Sequence, residues 1–185
     1  STVEAVETNV NAASADTNTK KPNIIVILME SFVDPAEIGY LEVNEDPIPT
    51  IHQLEQEFST GYLTVPVVGA GTSNSEFEVL TGMSMQYFGT GEYPHQTILK
   101  EVDGCEAIAS DLGAIGYGTH VVHNNGGNFY SRVNAFSQMG FDTFTSKEMM
   151  DITEFTPNGS WAEDAILVDE TIKAMDATEN QSDMI

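Results

Sequence analysis

Apolar and polar positions along this chain fall into short blocks whose period changes from one block to the next. Residues 23–29 (NIIVILM) form a continuous run of β-branched and apolar side chains. Such a run predicts a strand buried on both faces, as in a parallel sheet. It stops abruptly at Glu30-Ser31, and polar residues at the carboxyl end of a buried strand are where open α/β sheets place their sites. A loop with Pro35, Gly39, Pro47 and Pro49 then leads to a helix expected over residues 50–58. Residues 61–67 (GYLTVPV) read as a second strand, with Pro66 putting its end at an edge or bulge. Residues 69–82 (GAGTSNSEFEVLTG) read as a glycine-led helix. Thr72 and Ser73 offer N-cap hydroxyls, Glu76 follows Ser73 by three as in a capping box, and Gly82 can end the helix. Further helices are expected over 98–112, 131–139 and 161–175, and further strands over 118–123 and 141–144. Strands alternating with helices predict an α/β fold with a mainly parallel sheet flanked by helices. Residues 1–21 carry no aromatic and no usable period, and read as a flexible linker with a short helix over 3–13 as the alternative.

Charge narrows the functional classes. The 185 residues, enough for one domain, include 29 acidic and 6 basic side chains, a net charge of -23. Phosphate backbones and anionic lipid surfaces are gripped by Lys and Arg, so nucleic acid is excluded as a partner, and so is a lipid-binding basic patch. An anionic substrate stays compatible if a bound cation supplies local positive charge; solubility alone is the other explanation of the acidity. The single cysteine, Cys105, rules out an intrachain disulfide and a zinc-cysteine site. No run is long enough to span a bilayer and the start lacks a signal-peptide pattern, so any anchor is expected upstream.

Five residues stand out chemically. Glu30, at the mouth of the expected sheet, reads either as a solvated strand end or as a ligand for a hard cation. Thr72, behind Gly-Ala-Gly at a helix start, reads either as an N-cap or as a nucleophile. Glycines would admit a substrate there, and helix amides would favour an anion. Threonine needs a base or a metal to act as a nucleophile. Arg132 is the only arginine of the chain; it either pairs with a surface carboxylate or grips a phosphate bidentately. Tyr130 is positioned to cover the same ligand, and His123 ends a predicted strand. His120 and His123, three apart on a strand, point to opposite faces and make a poor metal pair. No Walker loop, dinucleotide glycine fingerprint, HExxH, serine-hydrolase elbow or EF-hand loop is present.

Three segments occur in one order: PNIIVILMESF, GAGTSNSEFEVLTG and HNNGGNFYSRVNAFSQMGFDTF. Together they resemble the extracellular domain of lipoteichoic acid synthases and related phosphoglycerol transferases, members of the sulfatase and alkaline-phosphatase-like superfamily, over about residues 22–175. The resemblance implies a metal-binding glutamate at Glu30 and a catalytic threonine, also touching the metal, at Thr72. It implies a phosphate-contacting arginine at Arg132, with His123 at a related motif start. Tyr130 departs from the tryptophan usual at its position. The implied metal is manganese or magnesium. The implied reaction moves glycerol phosphate from phosphatidylglycerol onto threonine and then to a glycan or polymer acceptor, outside a membrane to which the enzymes are anchored by upstream helices. A downstream Asp-His pair completes the family's metal site. The histidines here are His52, His95, His120 and His123, none preceded by Asp, so the chain is expected to be incomplete at its C-terminus. That leaves it either inactive by itself or dependent on the missing C-terminal half of the domain. A sulfatase is disfavoured, because Thr72-Ser73-Asn74-Ser75 lacks the Pro and Arg of C/S-x-P-x-R. A phosphoethanolamine transferase would typically carry more cysteines. A non-catalytic binding domain of the same fold is the remaining alternative.

Overall fold

A computed structural model describes residues 21–29, 32–67, 70–178 and 181–185. Its described helices are α1 (Pro49–Glu57), α2 (Thr72–Thr81), α3 (Ile98–Glu101), α4 (Ile108–Ala114), α5 (Arg132–Gln138) and α6 (Ile166–Asp176). Its strands are β1 (Tyr117–His123), β2 (Thr143–Ser146) and β3 (Ser182–Met184). The chain divides into a sheet unit, made of the described residues up to Val26 with Ala109–Gly126 and Phe141–Ile185, and a helical unit of Ile27–Ile108 and Gly127–Gly140.

In the sheet unit the strand order is β2-β1-β3 and every pairing is parallel. Parallel neighbours need long crossovers, and α6 supplies one between β2 and β3 while packing on β1. The first four residues of β1 are buried. Two of them are polar, and the register explains why they are tolerated. Thr119 donates its N–H to Asp142 Oδ2 at 2.9 Å. His120 lies opposite Thr143, with Nδ1 2.7 Å from Thr143 Oγ1 and Nε2 3.4 Å from Asp183 Oδ1. Asp183 also accepts from Thr178 Oγ1 at 2.6 Å. Buried polar groups with partners cost little. Gly118 is required by crowding: a Cβ there would run into the Gln181 amide and lie 2.6 Å from Asp183 Oδ1.

The predicted strand over 118–123 is therefore present, and the one over 141–144 is present but shifted to Thr143–Ser146. β3 falls in sequence that reads as a polar tail. Its polarity is hidden by bonding, since Ser182 Oγ donates to the Lys21 carbonyl at 2.5 Å and the Asp183 N–H to Asn23 Oδ1 at 3.1 Å. The run 23–29 departs from expectation. Ile24 bridges Met184 in parallel and Val26 donates to the Ile185 carbonyl at 2.7 Å. Yet Ile25 is 55% exposed and Ile27 76% exposed, so the segment is not buried on both faces.

In the helical unit, α1 and α2 match the predicted helices. The helix expected over 98–112 is broken into α3 and α4. Asp103 and Gly104 are weak helix formers, and the Cys105 N–H leaves the helical ladder to donate to the Gln138 carbonyl at 2.7 Å. In the sheet unit, the helix expected from 161 starts at Ile166, because residues before it form a turn closed by Thr156 N–H on the Trp161 carbonyl at 2.8 Å. No strand forms over 61–67. Tyr62 is 96% exposed, and Pro66 removes a donor. The core gathers Phe77, Leu99, Ala135, Phe136 and Met139. Phe77 packs edge-on against Phe88, with ring centroids 5.4 Å apart, and Asn134 Nδ2 ties α5 to the Leu99 carbonyl of α3 at 2.7 Å.

Candidate active site

The first turn of α2 is unlike an ordinary surface helix start. Gly71 occupies the N-cap in a left-handed conformation (φ 87°) and no side chain caps the helix. The capping box expected between Ser73 and Glu76 does not form: both residues lie inside the helix, and the Glu76 carboxylate is committed elsewhere. Ser73, Asn74 and Ser75 are buried and Thr72 is half-buried. Asn74 Nδ2 donates to the Glu92 carbonyl at 3.0 Å. A buried polar first turn beside a chain reversal admits an anion to helix amides and the positive end of the dipole.

Arg132 is what occupies Glu76. Its Nε lies 3.1 Å from both carboxylate oxygens, and Nη2 lies 2.5 Å from Oε1. Arg132 is only 2% exposed. Its guanidinium carbon sits 5.3 Å from the Tyr130 ring centroid and 5.8 Å from that of Phe129, within cation–π range. Those rings are set by a strained turn, for Tyr130 (φ 55°) and Ser131 (φ 59°) are consecutive left-handed non-glycine residues. Such backbone costs of order 1–3 kcal/mol per residue and persists only where packing enforces it. Here Tyr130 stacks with Phe129 at 4.5 Å and with Tyr93 at 5.4 Å.

Thr72 and Glu76 are four apart on α2, so they share a face, one turn or about 6 Å apart along the axis. Arg132 is thus paired with a residue one turn along the helix from Thr72. Beside the pair, His95 is fully buried with Nδ1 3.8 Å from Glu76 Oε2, beyond hydrogen-bond reach. Burial, and secondarily the Arg132 charge, push its pKa down to about 4, so the imidazole is neutral at pH 7. Arg132 Nη1, both His95 ring nitrogens, Ser73 Oγ and Asn74 Oδ1 are buried without a hydrogen-bond partner. Buried polar atoms of this kind are few in folded proteins and concentrate at working sites.

Thr72, Tyr130 and Arg132 thus lie in the helical unit. His123, at the end of β1 opposite Ser146, belongs to the sheet unit. Glu30 lies outside the described residues. Among the described residues no group of three or more His, Cys, Asp or Glu is placed to hold a metal. Thr72 offers a hard oxygen of the type manganese and magnesium prefer, as would the Glu30 carboxylate, but two oxygens fall short of their usual octahedron. Glu76 and His95 were not singled out by sequence. The available signal was the spacing of Glu76 from Thr72 together with the uniqueness of Arg132 in an acidic chain.

Comparison with known proteins identifies the family and the fold. The sulfatase family pattern matches residues 22–185. The chain belongs to the sulfatase family. A protein of Rhizobium meliloti (strain 1021), provisionally named a cyclic beta-1,2-glucan modification protein, is 32% identical over 164 residues, 89% of this sulfatase-family chain and 24% of that protein. The lipoteichoic acid synthase LtaP of Listeria monocytogenes superposes with a TM-score of 0.74 at 22% identity, over 96% of this chain and 44% of that one. The Streptococcus pyogenes phosphoglycerol transferase GacH, solved with sn-glycerol-1-phosphate, gives 0.75 at 18% identity, over 98% of this chain and 48% of that one. These likenesses establish the alkaline-phosphatase-like fold. The chain spans about a quarter of the first relative and under half of each solved structure.

Proposed function

We propose that this chain carries the nucleophile of a phosphotransferase that moves glycerol phosphate from phosphatidylglycerol to a cell-envelope glycan or polymer. The observation that carries the reading is a buried guanidinium paired with Glu76, one turn along α2 from Thr72 at the helix start. The resemblance to phosphoglycerol transferases, the glycerol phosphate bound in one structural relative and the glucan in the name of another support the donor and acceptor classes.

In the first step Thr72 Oγ attacks phosphorus. A Thr72–phosphorus bond forms, the bond to the diacylglycerol oxygen breaks, and the threonine proton leaves with diacylglycerol. In the second, an acceptor hydroxyl attacks the phosphothreonine, the acceptor takes the glycerol phosphate, and Thr72 regains a proton. Splitting one transfer in two lowers each barrier. Negative charge builds on the non-bridging phosphoryl oxygens in both steps, where the α2 amides and the Nη1 of Arg132 would donate to it. Tyr130 covers the guanidinium and excludes water from it. His123 belongs to the proposal as a donor to the substrate. A divalent cation, manganese or magnesium, held by Glu30 and Thr72, supplies Lewis acidity at the phosphoryl oxygens when bound. No helix among the described residues is long and apolar enough to cross a membrane. Placement outside the membrane, with an anchor beyond this chain, is part of the proposal.

Intact mass spectrometry of the full-length protein, incubated with manganese and phosphatidylglycerol, tests the reading. A glycerol phosphate adduct that maps to Thr72 and vanishes in Thr72→Ala is the expected result. A folded, metal-loaded protein with no adduct, or turnover undiminished in Thr72→Ala, overturns it.

A further inference from the structure

We infer that Glu76 is a positioning residue for catalysis: by clamping Nε and Nη2 of Arg132 it dictates which edge of the guanidinium is left for the substrate. The inference rests on the proposed role of Thr72 and Arg132 and deepens it.

Arginine has five N–H donors in a rigid planar fork. Glu76 takes the edge formed by Nε and Nη2, at 3.1, 3.1 and 2.5 Å. The Nη1 corner is buried and has no hydrogen-bond partner. Tyr130 and Phe129 flank the fork, with ring centroids 5.3 and 5.8 Å from its carbon. A single buried donor corner, held rigid from the other side, suits a phosphoryl oxygen whose position is set by attack from Thr72.

The same pair adjusts charge. Joined to a carboxylate, the guanidinium is close to neutral as a unit, so it supplies directed donors with little bulk attraction. His95 does not share the carboxylate, since its Nδ1 stands 3.8 Å from Oε2, beyond hydrogen-bond reach. The helical register adds direction. Glu76 sits four residues after Thr72, and side chains on a helix tilt toward its N-terminus, so the clamp leans toward the nucleophile's turn. A role confined to stability would explain the ion pair. It would not explain why Arg132, paired to the helix that carries Thr72, keeps a buried donor corner without a partner.

A double-mutant cycle in the full-length protein tests this, with Thr72 adduct formation from phosphatidylglycerol as the rate readout. Glu76→Gln keeps one acceptor oxygen but loses the bidentate grip. It is expected to lower kcat/KM at least about tenfold, mainly in kcat, the effect of mis-set transition-state contacts. In an Arg132→Ala background the same change is expected to cost less than about twofold, because its route is already gone. Losses that multiply independently, or a Glu76→Gln enzyme with wild-type kcat, overturn the inference.

A second readout does not need turnover. The Arg132 Nε–H resonance, assigned by its absence in Arg132→Lys, is expected to be slow to exchange in the wild type and fast in Glu76→Gln with the fold retained. Slow exchange that survives Glu76→Gln overturns the clamp. If no adduct forms on any variant while this NMR change is seen, the clamp stands and the Thr72 reaction falls, so the two failures are told apart.

Discussion

Gly71 shows how closely backbone and chemistry are tied at the nucleophile. Its φ of 87° is open to glycine and strained for other residues. A Cβ added there would also meet Tyr93 Cε1 at 3.2 Å and Val67 Cγ1 at 3.3 Å. Gly71→Ala is therefore expected to cost about 2 kcal/mol, a Tm lower by roughly 4–8 °C for a chain of this size. Thermal unfolding followed by circular dichroism checks it, and a Gly71→Ala chain as stable as the wild type would remove the strain argument. The sequence made part of this residue-level picture legible. Thr72 after Gly-Ala-Gly marked a helix start, and the lone arginine marked a site. Glu76 was misread because its spacing from Ser73 is also that of a capping box. A local hydrogen bond and a pairing 56 positions away in sequence leave the same local signature, and the guanidinium won. The left-handed Tyr130 and Ser131 could not be foreseen either, since neither residue type favours that conformation and stacking against Tyr93 enforces it.

At the scale of elements, one clasp links a loop to a helix. His52 on α1 has Nδ1 2.8 Å from Asp46 Oδ1 and Nε2 3.1 Å from Asp34 Oδ2. The hydrogen bond His52 gives to Asp46, then the one it gives to Asp34, raises its pKa above the usual 6.5. The bond with His52, then that from the Ile48 amide, lowers the pKa of Asp46 below 3.8. A raised histidine contributes stability in full below 6.5 and loses it as pH climbs through its folded value. A lowered carboxylate contributes above 3.8 and loses it as pH falls through its folded value. The clasp is thus strongest between those two ordinary values. The Tm advantage of wild type over His52→Gln is expected to peak near pH 5–6 and shrink by pH 9; a difference that stays flat from pH 5 to 9 would dissolve the clasp. Element legibility followed partner availability. Helices α1 and α2 are fixed by local pattern, with Pro49 opening α1 and Gly82 closing α2. The 98–112 helix broke at Asp103-Gly104 because a tertiary bond claimed the Cys105 amide. β3 went unseen because Ser182 and Asp183 are buried by virtue of hydrogen bonds, which hydropathy does not register.

For the molecule as a whole, charge dominates. Twenty-nine acidic side chains face 6 basic ones, and one of the basic ones, Arg132, is buried in a pair. Self-repulsion of that size opposes compaction. Screening lengths fall from about 10 Å at 0.1 M salt to about 3 Å at 1 M, so Tm is expected to rise by several degrees with sodium chloride over that range. A Tm that falls instead would show that attractive pairs such as the His52 clasp outweigh the repulsion. The α/β class and its parallel sheet were legible from alternating blocks. The exposure of residues 25–29 was not, because an apolar run states what a segment would bury but not which neighbours will cover it.

The pairing of Arg132 with Glu76 also bears on competition. At the location proposed above, free phosphate and lipid headgroups would compete for a bare guanidinium. A neutralised fork offers such passers-by only its Nη1 corner and little net charge. Only an anion that reaches the helix start beside Thr72 in the same pose gathers enough contacts to stay, so selectivity against ambient anions would come from requiring both at once.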